Sequence, residues 1–317
     1  MTRQLRVVFL VLFISVVGGF VVFWKAAGGL ASPPRRALQE YHRPYLETPS
    51  EHGLIVTAMD FHKGKVPVLM VQADASVGPA KRGAILRRQL GQRGLVLAPY
   101  GDERALLVLL HGRNGRKEDL LPVAERFCAV GLSCLLPDLP AHGESPVGTV
   151  AFGSREFEAE LPGKIADEAL SYIGRNDLSQ YLWGMSMGGS FAVHSVSREP
   201  GRWERMVIVA SFDSLEGVVR DSVGFFTPLI SPIVRWRGGA EIAKVNPGRL
   251  AGEIAIPVLF VHGDQDEVID HSRGKSLFER FRGPKKFVSV PGGNHQNVLI
   301  TDAPVYAEMA AWFLSVE

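Results

Sequence analysis

The chain contains little cysteine, little net charge and none of the common nucleotide or zinc motifs. Cys128 and Cys134 are its only cysteines in 317 residues, too few for a disulfide framework, so we expect two buried thiols. A net charge of +2 argues against nucleic acid as a partner. No P-loop, no dinucleotide-binding glycine motif after a predicted strand and no His-Glu-x-x-His occurs. We therefore predict no cofactor and no metal.

The composition is that of a folded protein with ample core. Hydrophobic residues make up 46% and charged residues 21% of the chain, which suits one large globular domain or two small ones. No internal repeat or low-complexity tract interrupts it.

An uncharged stretch occupies the N-terminus, from Val7 to Trp24, between Arg6 and Lys25. It is barely long enough to span a bilayer and longer than the apolar part of most cleaved signal peptides. We predict a retained single-pass transmembrane anchor in residues 1–25, although small residues at 26–32 leave cleavage as an alternative. Positive charges lie on both sides of the stretch, so the charge rule does not fix orientation. We favour an extracytoplasmic catalytic body.

Residues 26–50 are rich in proline and glycine, which is typical of a linker. The body is then predicted at 51–317. Two β-rich runs, 54–59 and 66–71, predict a hairpin. Residues 79–94 carry five cations and no acid, and either rest on anionic headgroups or form a solvated basic face.

From residue 95 onward, strand and helix patterns alternate, which predicts a mostly parallel, doubly wound α/β sheet with helices on both faces. Sites in such sheets lie beyond the carboxyl ends of the strands. The predicted strands are 95–99, 106–110, 133–137, 180–183, 206–210, 256–261 and 286–290. The predicted helices are 118–130, 155–173, 187–198, 272–282 and 302–315.

One interval, at about 215–250, breaks this alternation. It is too long for a simple connection and too apolar for a free loop, with two phenylalanines, a tryptophan and several aliphatic residues. We predict a short lid over the site.

The motif Gly184-x-Ser186-x-Gly188 follows one predicted strand and precedes a predicted helix. A serine at such a strand-to-helix corner presents its hydroxyl at the top of the sheet. The pentapeptide alone could arise by chance, but its context predicts that Ser186 is a nucleophile.

A serine hydroxyl needs a base, and the base needs an orienting carboxylate. Among nine histidines, only His295 lies in a glycine-rich loop directly after the last predicted strand, so it is the predicted base. Asp266, after the preceding strand, is the predicted acid. Asp264, a turn former by its position, and Asp213 are the rivals.

The oxyanion of an acyl-transfer intermediate requires preformed donors. We assign one to the backbone N–H of Met187, just after the nucleophile, and the other to that of Arg113, in the loop His111-Gly112-Arg113-Asn114-Gly115. The alternative for this glycine-rich loop is a phosphate cradle.

Taken together, these motifs resemble the α/β-hydrolase fold superfamily of serine hydrolases. The resemblance rests on His111-Gly112, the stretch from Asp138 to Ser145, the Ser186 motif, the stretch from His262 to Asp266 and Gly293-Asn294-His295. It covers residues 50 to 317 and is similar to the monoglyceride-lipase and membrane-anchored esterase branches. Arg113 departs from the family, because many relatives have a small or apolar residue there.

The resulting hypothesis is a membrane-anchored serine hydrolase that cleaves a small-molecule or lipid carboxylic ester, or less readily a thioester, through an acyl-enzyme. One rival is an aminopeptidase, which would need acids such as Glu216, Asp221 and Glu241 to hold a free amine. Another is a non-catalytic binding protein of the same fold. The acyl group and the oligomeric state stay open at this point.

Overall fold

The fold was determined as a computed structural model that describes residues 18–61, 66–301 and 304–315. Within these residues, eight strands form one sheet. They are β1 (Leu54–Asp60), β2 (Val66–Ala73), β3 (Ala105–Leu110), β4 (Leu132–Pro137), β5 (Ser179–Met185), β6 (Arg205–Val209), β7 (Val258–Gly263) and β8 (Lys285–Val290).

The sheet order is β1-β2-β4-β3-β5-β6-β7-β8. Strand β1 pairs antiparallel with β2, and β2 antiparallel with β4, whereas the strands from β4 to β8 pair in parallel. The carboxyl ends of β3, β5, β7 and β8 therefore open on one edge of the sheet. The predicted α/β class and mostly parallel sheet are confirmed.

Helices cover both faces of the sheet. The longer ones are α1 (residues 18–31), α3 (Lys81–Gln92), α4 (Leu121–Cys128), α5 (Glu156–Ile173), α6 (Met187–Arg198), α10 (His271–Arg280) and α11 (Val305–Leu314), and α2 (Arg43–Glu47) is short. Strand β3 shows why the sheet is sandwiched, since every one of its side chains is buried. Alternate residues of β3 enter two separate apolar cores, one with α5 and α6 and the other with α4 and α11.

Most predicted elements are present, with ends shifted by one to three residues. The helix after Ser186 spans Met187–Arg198, as predicted, and β1 pairs with β2 as predicted, although residues 62–65 of the hairpin lie outside the described residues. Both cysteine thiols are free and buried, as expected.

The predicted strand at 95–99 is wrong, because this segment forms a loop. Leu95 and Leu97 pack against the core while Val96 is 89% exposed. The segment therefore alternates like a strand, but it pairs with no neighbouring strand of the described sheet. The basic stretch at 79–94 is mainly helix α3, and three of its arginines bind protein groups. Arg82 pairs with Glu125, Arg87 donates to backbone carbonyls and Arg93 pairs with Glu308.

The predicted linker at 26–50 differs from a free connection, because much of it packs against the body. Ala27 and Ala31 of α1 are fully buried, as is His42, which hydrogen-bonds Asp119. The reason is that Ala27 and Ala31 join the apolar core that includes the lid, while Tyr41 and His42 bind Asp119. The boundary between anchor and body stays a prediction.

In the described part of the chain, no helix is both long and apolar enough to cross a bilayer. The predicted anchor at 1–25 lies mostly outside the described residues, and its described residues, 18–25, are part of α1. Transmembrane anchoring stays a prediction.

The interval predicted as a lid folds into helices α7 (Leu215–Val223), α8 (Thr227–Trp236) and α9 (Pro247–Ala251), joined by short 3-10 turns. Helix α7 begins at the cap Ser214, whose hydroxyl accepts from the N–H of Gly217. Buried Val219, Ile230 and Val234 face inward. The lid belongs to the same apolar core as α1.

Candidate active site

Ser186 lies at a sharp corner between β5 and α6. Its backbone is at φ 53° and ψ −116°, a conformation that a residue with a side chain rarely adopts. The corner closes only because the residues two positions away on either side, Gly184 and Gly188, lack side chains. A Cβ on Gly188 would lie 2.0 Å from the Leu110 carbonyl oxygen, and one on Gly184 would lie 2.3 Å from that of Gly188. The two motif glycines thus allow the turn that lifts the serine hydroxyl.

The structure brings Ser186, His295 and Asp266 together. The Ser186 hydroxyl lies 3.1 Å from Nε2 of His295, and Nδ1 of His295 lies 2.8 Å from Oδ2 of Asp266. The three residues follow β5, β8 and β7, so they meet at the carboxyl edge of the sheet. In the tautomer that this chain of contacts requires, Nδ1–H donates to the carboxylate and Nε2 accepts the serine proton.

Asp266 is held as an ionised acceptor. Its Oδ1 accepts from the amides of Val268 and Ile269 at 2.9 and 2.8 Å. Burial alone would raise the pKa of the Asp266 carboxyl, but hydrogen bonds from His262 and His295 outweigh burial and hold this pKa well below its ordinary range. The carboxylate therefore stays charged wherever His295 could act as a base.

His262 is a neighbour of the site that the sequence did not single out. Its ring is fully buried, and Nε2 donates to the Ile269 carbonyl at 2.9 Å while lying 3.3 Å from Oδ2 of Asp266. The other ring nitrogen faces Gly274, where a Cβ would come within 2.1 Å. The stretch from His262 to Asp266 carries part of the family resemblance, but nothing in its spacing shows that its histidine also approaches the Asp266 carboxylate.

The rival acids are engaged elsewhere. Asp264 accepts from the Gly292 amide at 2.7 Å and so shapes the loop that carries His295. Asp213 binds Arg273 and Ser276. Buried His194 donates within its own helix to the Ser190 carbonyl, so it packs in the core and does not reach the site.

Hydrogen bonds of buried residues hold the loop after β3 in place. His111 is buried, and its Nε2 accepts the Leu139 amide, so Nδ1 carries the proton and donates to the Gly112 carbonyl at 2.8 Å. Burial lowers the pKa of His111, which keeps the ring neutral. Buried Lys117 follows, and its ammonium and amide both bind Asp138. The Asp138 motif therefore supports this loop from the neighbouring strand end.

The two predicted oxyanion donors lie beside Ser186. Met187 begins α6, where a helix leaves its first N–H groups without an intrahelical acceptor. Gly112 approaches the serine closely, since a Cβ there would lie 3.4 Å from Cβ of Ser186. Arg113 comes next, and in the described loops its amide donates to no backbone carbonyl. The roles of both amides stay predictions.

A cavity of about 370 Å³ adjoins Ser186. Lid residues Val219 and Val223, together with Phe152 from the loop before α5, make much of it apolar. Helix α1 supplies Ala26 and Leu30 as a further wall. Sequence patterns could not reveal this wall, because α1 meets residues more than eighty positions away along the chain.

Arg113 connects the α1 wall to the surroundings of Ser186. Its guanidinium donates to the Gly29 carbonyl of α1 at 3.1 Å, and the side chain lines the cavity. The Arg113 side chain is itself exposed, and partial desolvation lowers the pKa of its guanidinium. For metals, no group of three or more His, Cys, Asp or Glu side chains converges among the residues described by the structure.

Two family descriptions match the chain. Residues 101–245 match serine aminopeptidase, S33, and residues 204–296 match serine hydrolase (FSH1). Both matches are with serine hydrolases, and the findings support an α/β-hydrolase superfamily serine hydrolase. The two matched ranges together hold Ser186, Asp266 and His295.

The similar proteins are distant in sequence. The uncharacterized protein YqkD of Bacillus subtilis is 24% identical over 231 residues, 70% of this chain and 74% of that one. A monoacylglycerol lipase of Mycolicibacterium smegmatis is 27% identical over 242 residues, 63% of this chain and 84% of the lipase. The Pyrococcus furiosus esterase Pf2001 superposes with a TM-score of 0.59 at 14% identity, covering 89% and 98% of the two chains. At such identity the superposition shows a shared α/β-hydrolase fold.

Proposed function

We propose that the protein hydrolyses carboxylic esters through an acyl-enzyme on Ser186. The observation that carries the proposal is the continuous contact from the Ser186 hydroxyl to His295 at 3.1 Å and on to Asp266 at 2.8 Å. Ser186 lies on a strained corner beside an apolar cavity. The esterase and lipase names of similar proteins point the same way.

In the first half-reaction, Oγ of Ser186 attacks the ester carbonyl carbon while Nε2 of His295 takes the hydroxyl proton. The carbonyl oxygen becomes an oxyanion that accepts from the Met187 and Arg113 amides. Collapse breaks the carbon–oxygen ester bond, and His295 returns its proton to the departing alcohol. Asp266 holds the imidazole tautomer and balances its charge.

In the second half-reaction, water takes the place of the alcohol. His295 removes a proton from the water, the resulting hydroxide attacks the acyl carbon, and the serine ester breaks. The proton passes back to Oγ of Ser186, so the enzyme is restored and a carboxylic acid leaves. A thioester would follow the same steps with a thiol as leaving group.

The cavity supports an apolar acyl group. Lid residues such as Val219, Val223 and Ile230 line it together with Leu30, and its volume of about 370 Å³ suits a single short or medium aliphatic chain. Membrane attachment through residues 1–25, with the body outside the cytoplasm, is part of this proposal and would place the cavity near lipid esters.

The aminopeptidase alternative has less support, although one matching family carries that name. Each candidate acid for binding a free amine is already paired with a cation. Glu216 binds Arg220, Asp221 binds Arg273 and Glu241 binds Lys244. A panel of amides beside a panel of esters separates the two activities.

The decisive experiment replaces the nucleophile. Ser186→Ala should lower kcat/KM for a short p-nitrophenyl ester by at least about 10⁴-fold, because the other groups cannot act without it. The control Ser76→Ala removes an exposed hydroxyl in the turn after β2 and should keep full activity. A fluorophosphonate should label Ser186 and no other serine.

Retained turnover in Ser186→Ala, with unchanged thermal unfolding, would contradict the assignment. Folded wild-type protein that neither turns over esters nor reacts with the fluorophosphonate would instead support a non-catalytic role.

A further inference from the structure

Helix α1 and the lid present apolar side chains outward as well as toward the cavity. Helix α8 shows both directions, with Ile230 and Val234 buried and Leu229 and Trp236 exposed. When a helix is apolar on opposite faces, one apolar face is left in contact with water. That face would be more stable against an apolar partner. Phe225, before α8, is 83% exposed and Trp236 is 73% exposed.

The exposed side chains of α1 continue the same surface. Trp24 meets Trp236 edge to face at a centroid distance of 5.0 Å, and Phe23 meets Phe226 at 5.2 Å. We name this surface the apolar rim. Its exposed members are Phe20, Val21, Val22, Phe225, Phe226, Leu229 and Trp236.

The cavity opens next to the apolar rim. Ala26 on α1 and Ser222 on α7 both line the cavity and are solvent-exposed. Each lies within three residues of a rim aromatic, Phe23 or Phe225. A ligand entering between α1 and α7 would therefore pass the rim before it reached Ser186.

The two segments that form the rim carry cations and no acid, and the bordering Glu216 and Glu241 are each paired with a cation. No aspartate or glutamate occurs in residues 1–39 or in residues 222–240. The cations there include Lys25, Arg235 and Arg237, the last of which lies over the Trp24 ring at 4.6 Å. Aromatic and basic side chains at one edge suit the interface of an anionic bilayer, where rings sit at headgroup depth.

The chain preceding the described residues points to the same occupant. The uncharged sequence that includes Phe20, Val21 and Val22 starts at Val7, and the structure describes it from residue 18 onward. A lipid surface reached by this sequence would thus already lie beside the rim.

We propose that the apolar rim docks on an anionic lipid bilayer, so that an apolar ester moves from the bilayer into the cavity between α1 and α7. This proposal rests on the proposed esterase function. It adds that α1 is both the contact with lipid and a wall of the substrate cavity.

The test uses full-length protein in phosphatidylcholine vesicles that contain phosphatidylglycerol. Phe225→Ser/Leu229→Ser should lower turnover of a long-chain p-nitrophenyl ester dissolved in the bilayer by about tenfold, since entry from lipid is impaired. Turnover of a water-soluble acetate ester should stay unchanged. The control Val96→Ser changes an equally exposed residue, which lies before β3 at the opposite edge of the sheet, and should affect neither ester.

A second measurement is independent of catalysis. Brominated phosphatidylcholine should quench the tryptophan fluorescence of the vesicle-bound protein, and Trp236→Phe should remove part of that quenching, because Trp236 is 73% exposed while Trp183 and Trp203 are buried and Trp24 shares the rim. Vesicle-bound protein that turns over neither ester but shows this quenching would overturn the esterase function and keep the docking.

Three results would overturn the docking. One is equal turnover of the bilayer ester by the double variant and the wild type, and another is an equal loss with both esters. The third is Trp236 fluorescence that bromine does not quench. A shift from dimer to monomer in detergent on Phe225→Ser/Leu229→Ser would assign the rim to a second copy of the chain instead.

Discussion

The floor and the cover of the cavity are built differently. The floor carries Ser186, Asp266 and His295 on turns that directly follow buried parallel strands. The cover consists of α1, the lid and the loop around Phe152, which meet through side-chain packing, contacts of the Arg155 and Arg237 guanidinium groups and a backbone bond from Val150 to Ala31. Chemistry is therefore tied to the most rigid part of the fold, while selectivity for the acyl group is assigned to elements that can separate from it.

The two regions also depend on different carboxylates. In the floor, hydrogen bonds keep Asp266 charged. In the cover, buried Glu158 accepts from the amides of Ala151 and Gly153, each at 2.8 Å, and so holds the loop that carries Phe152. Phe152 needs such support, because its φ is 57°.

The largest difference should come from the floor. Asp266→Asn removes the charge that orients His295, and kcat/KM for a short ester should fall by roughly 10³- to 10⁴-fold. The matched control Asp264→Asn alters the same turn without touching His295 and should cost less than about tenfold. The measurement is ester hydrolysis over a pH series with both purified variants.

If Asp264→Asn proved as damaging as Asp266→Asn, the carboxylate role would have to be reassigned. The contrast between a floor that depends on the Asp266 charge and an apolar cover would then no longer hold.

An intermediate effect is expected from Glu158 in the cover. Burial raises its pKa to about 7, against the opposing influence of the Gly153 and Ala151 amides and Arg155. When the pKa of a carboxyl is higher in the folded protein than in the unfolded protein, the protonated carboxyl stabilises the folded state. That contribution is complete below the unfolded pKa and is lost as pH rises toward about 7.

Urea unfolding of the wild type and Glu158→Gln at about pH 5 and about pH 8 measures this contribution. The difference in free energy of unfolding between the two proteins should change by about 2–3 kcal/mol in favour of the variant at the higher pH. Asp266 has the opposite sign, since its lowered pKa contributes stability that is lost only as pH falls. A pH-independent difference would refute the role given to Glu158.

The smallest effect is expected from filling the cavity. Val223→Trp, on the part of α7 that faces the cavity, should lower kcat/KM for a long-chain ester by about tenfold relative to an acetate ester. The control Val77→Trp adds the same bulk in the exposed turn after β2 and should leave the chain-length profile unchanged. A profile that stayed the same in Val223→Trp would show that the acyl chain lies elsewhere.

The sequence predicted the floor well because local rules determine it. A strand that must be buried on both faces is recognisable from its composition, and the residue after its carboxyl end must lie at the site edge. This rule predicts that Ser186, Asp266 and His295 lie at one edge, where the structure brings them into contact, and their catalytic roles stay predictions. The segment at 95–99 was predicted wrongly because alternation shows burial on one side but not whether a partner strand exists.

The cover was predicted only in part, because its contacts join distant segments. The apolar content of 215–250 indicated a lid, yet no periodicity in α1 shows that it meets Trp236 or Arg113. The buried pair of Lys117 and Asp138 was missed for the same reason. Two oppositely charged residues 21 positions apart carry no sign of their contact until strand order is known.

The position of α1 in the cavity wall bears on how the enzyme should be assayed. A shortened chain that starts after Ala31, designed to improve solubility, would keep Ser186, His295 and Asp266. It would lose Ala26, Gly29 and Leu30 from the cavity and the carbonyl that holds Arg113. Such a protein would still report hydrolysis of small activated esters, but its preference among acyl chains would be that of an enzyme with one wall removed.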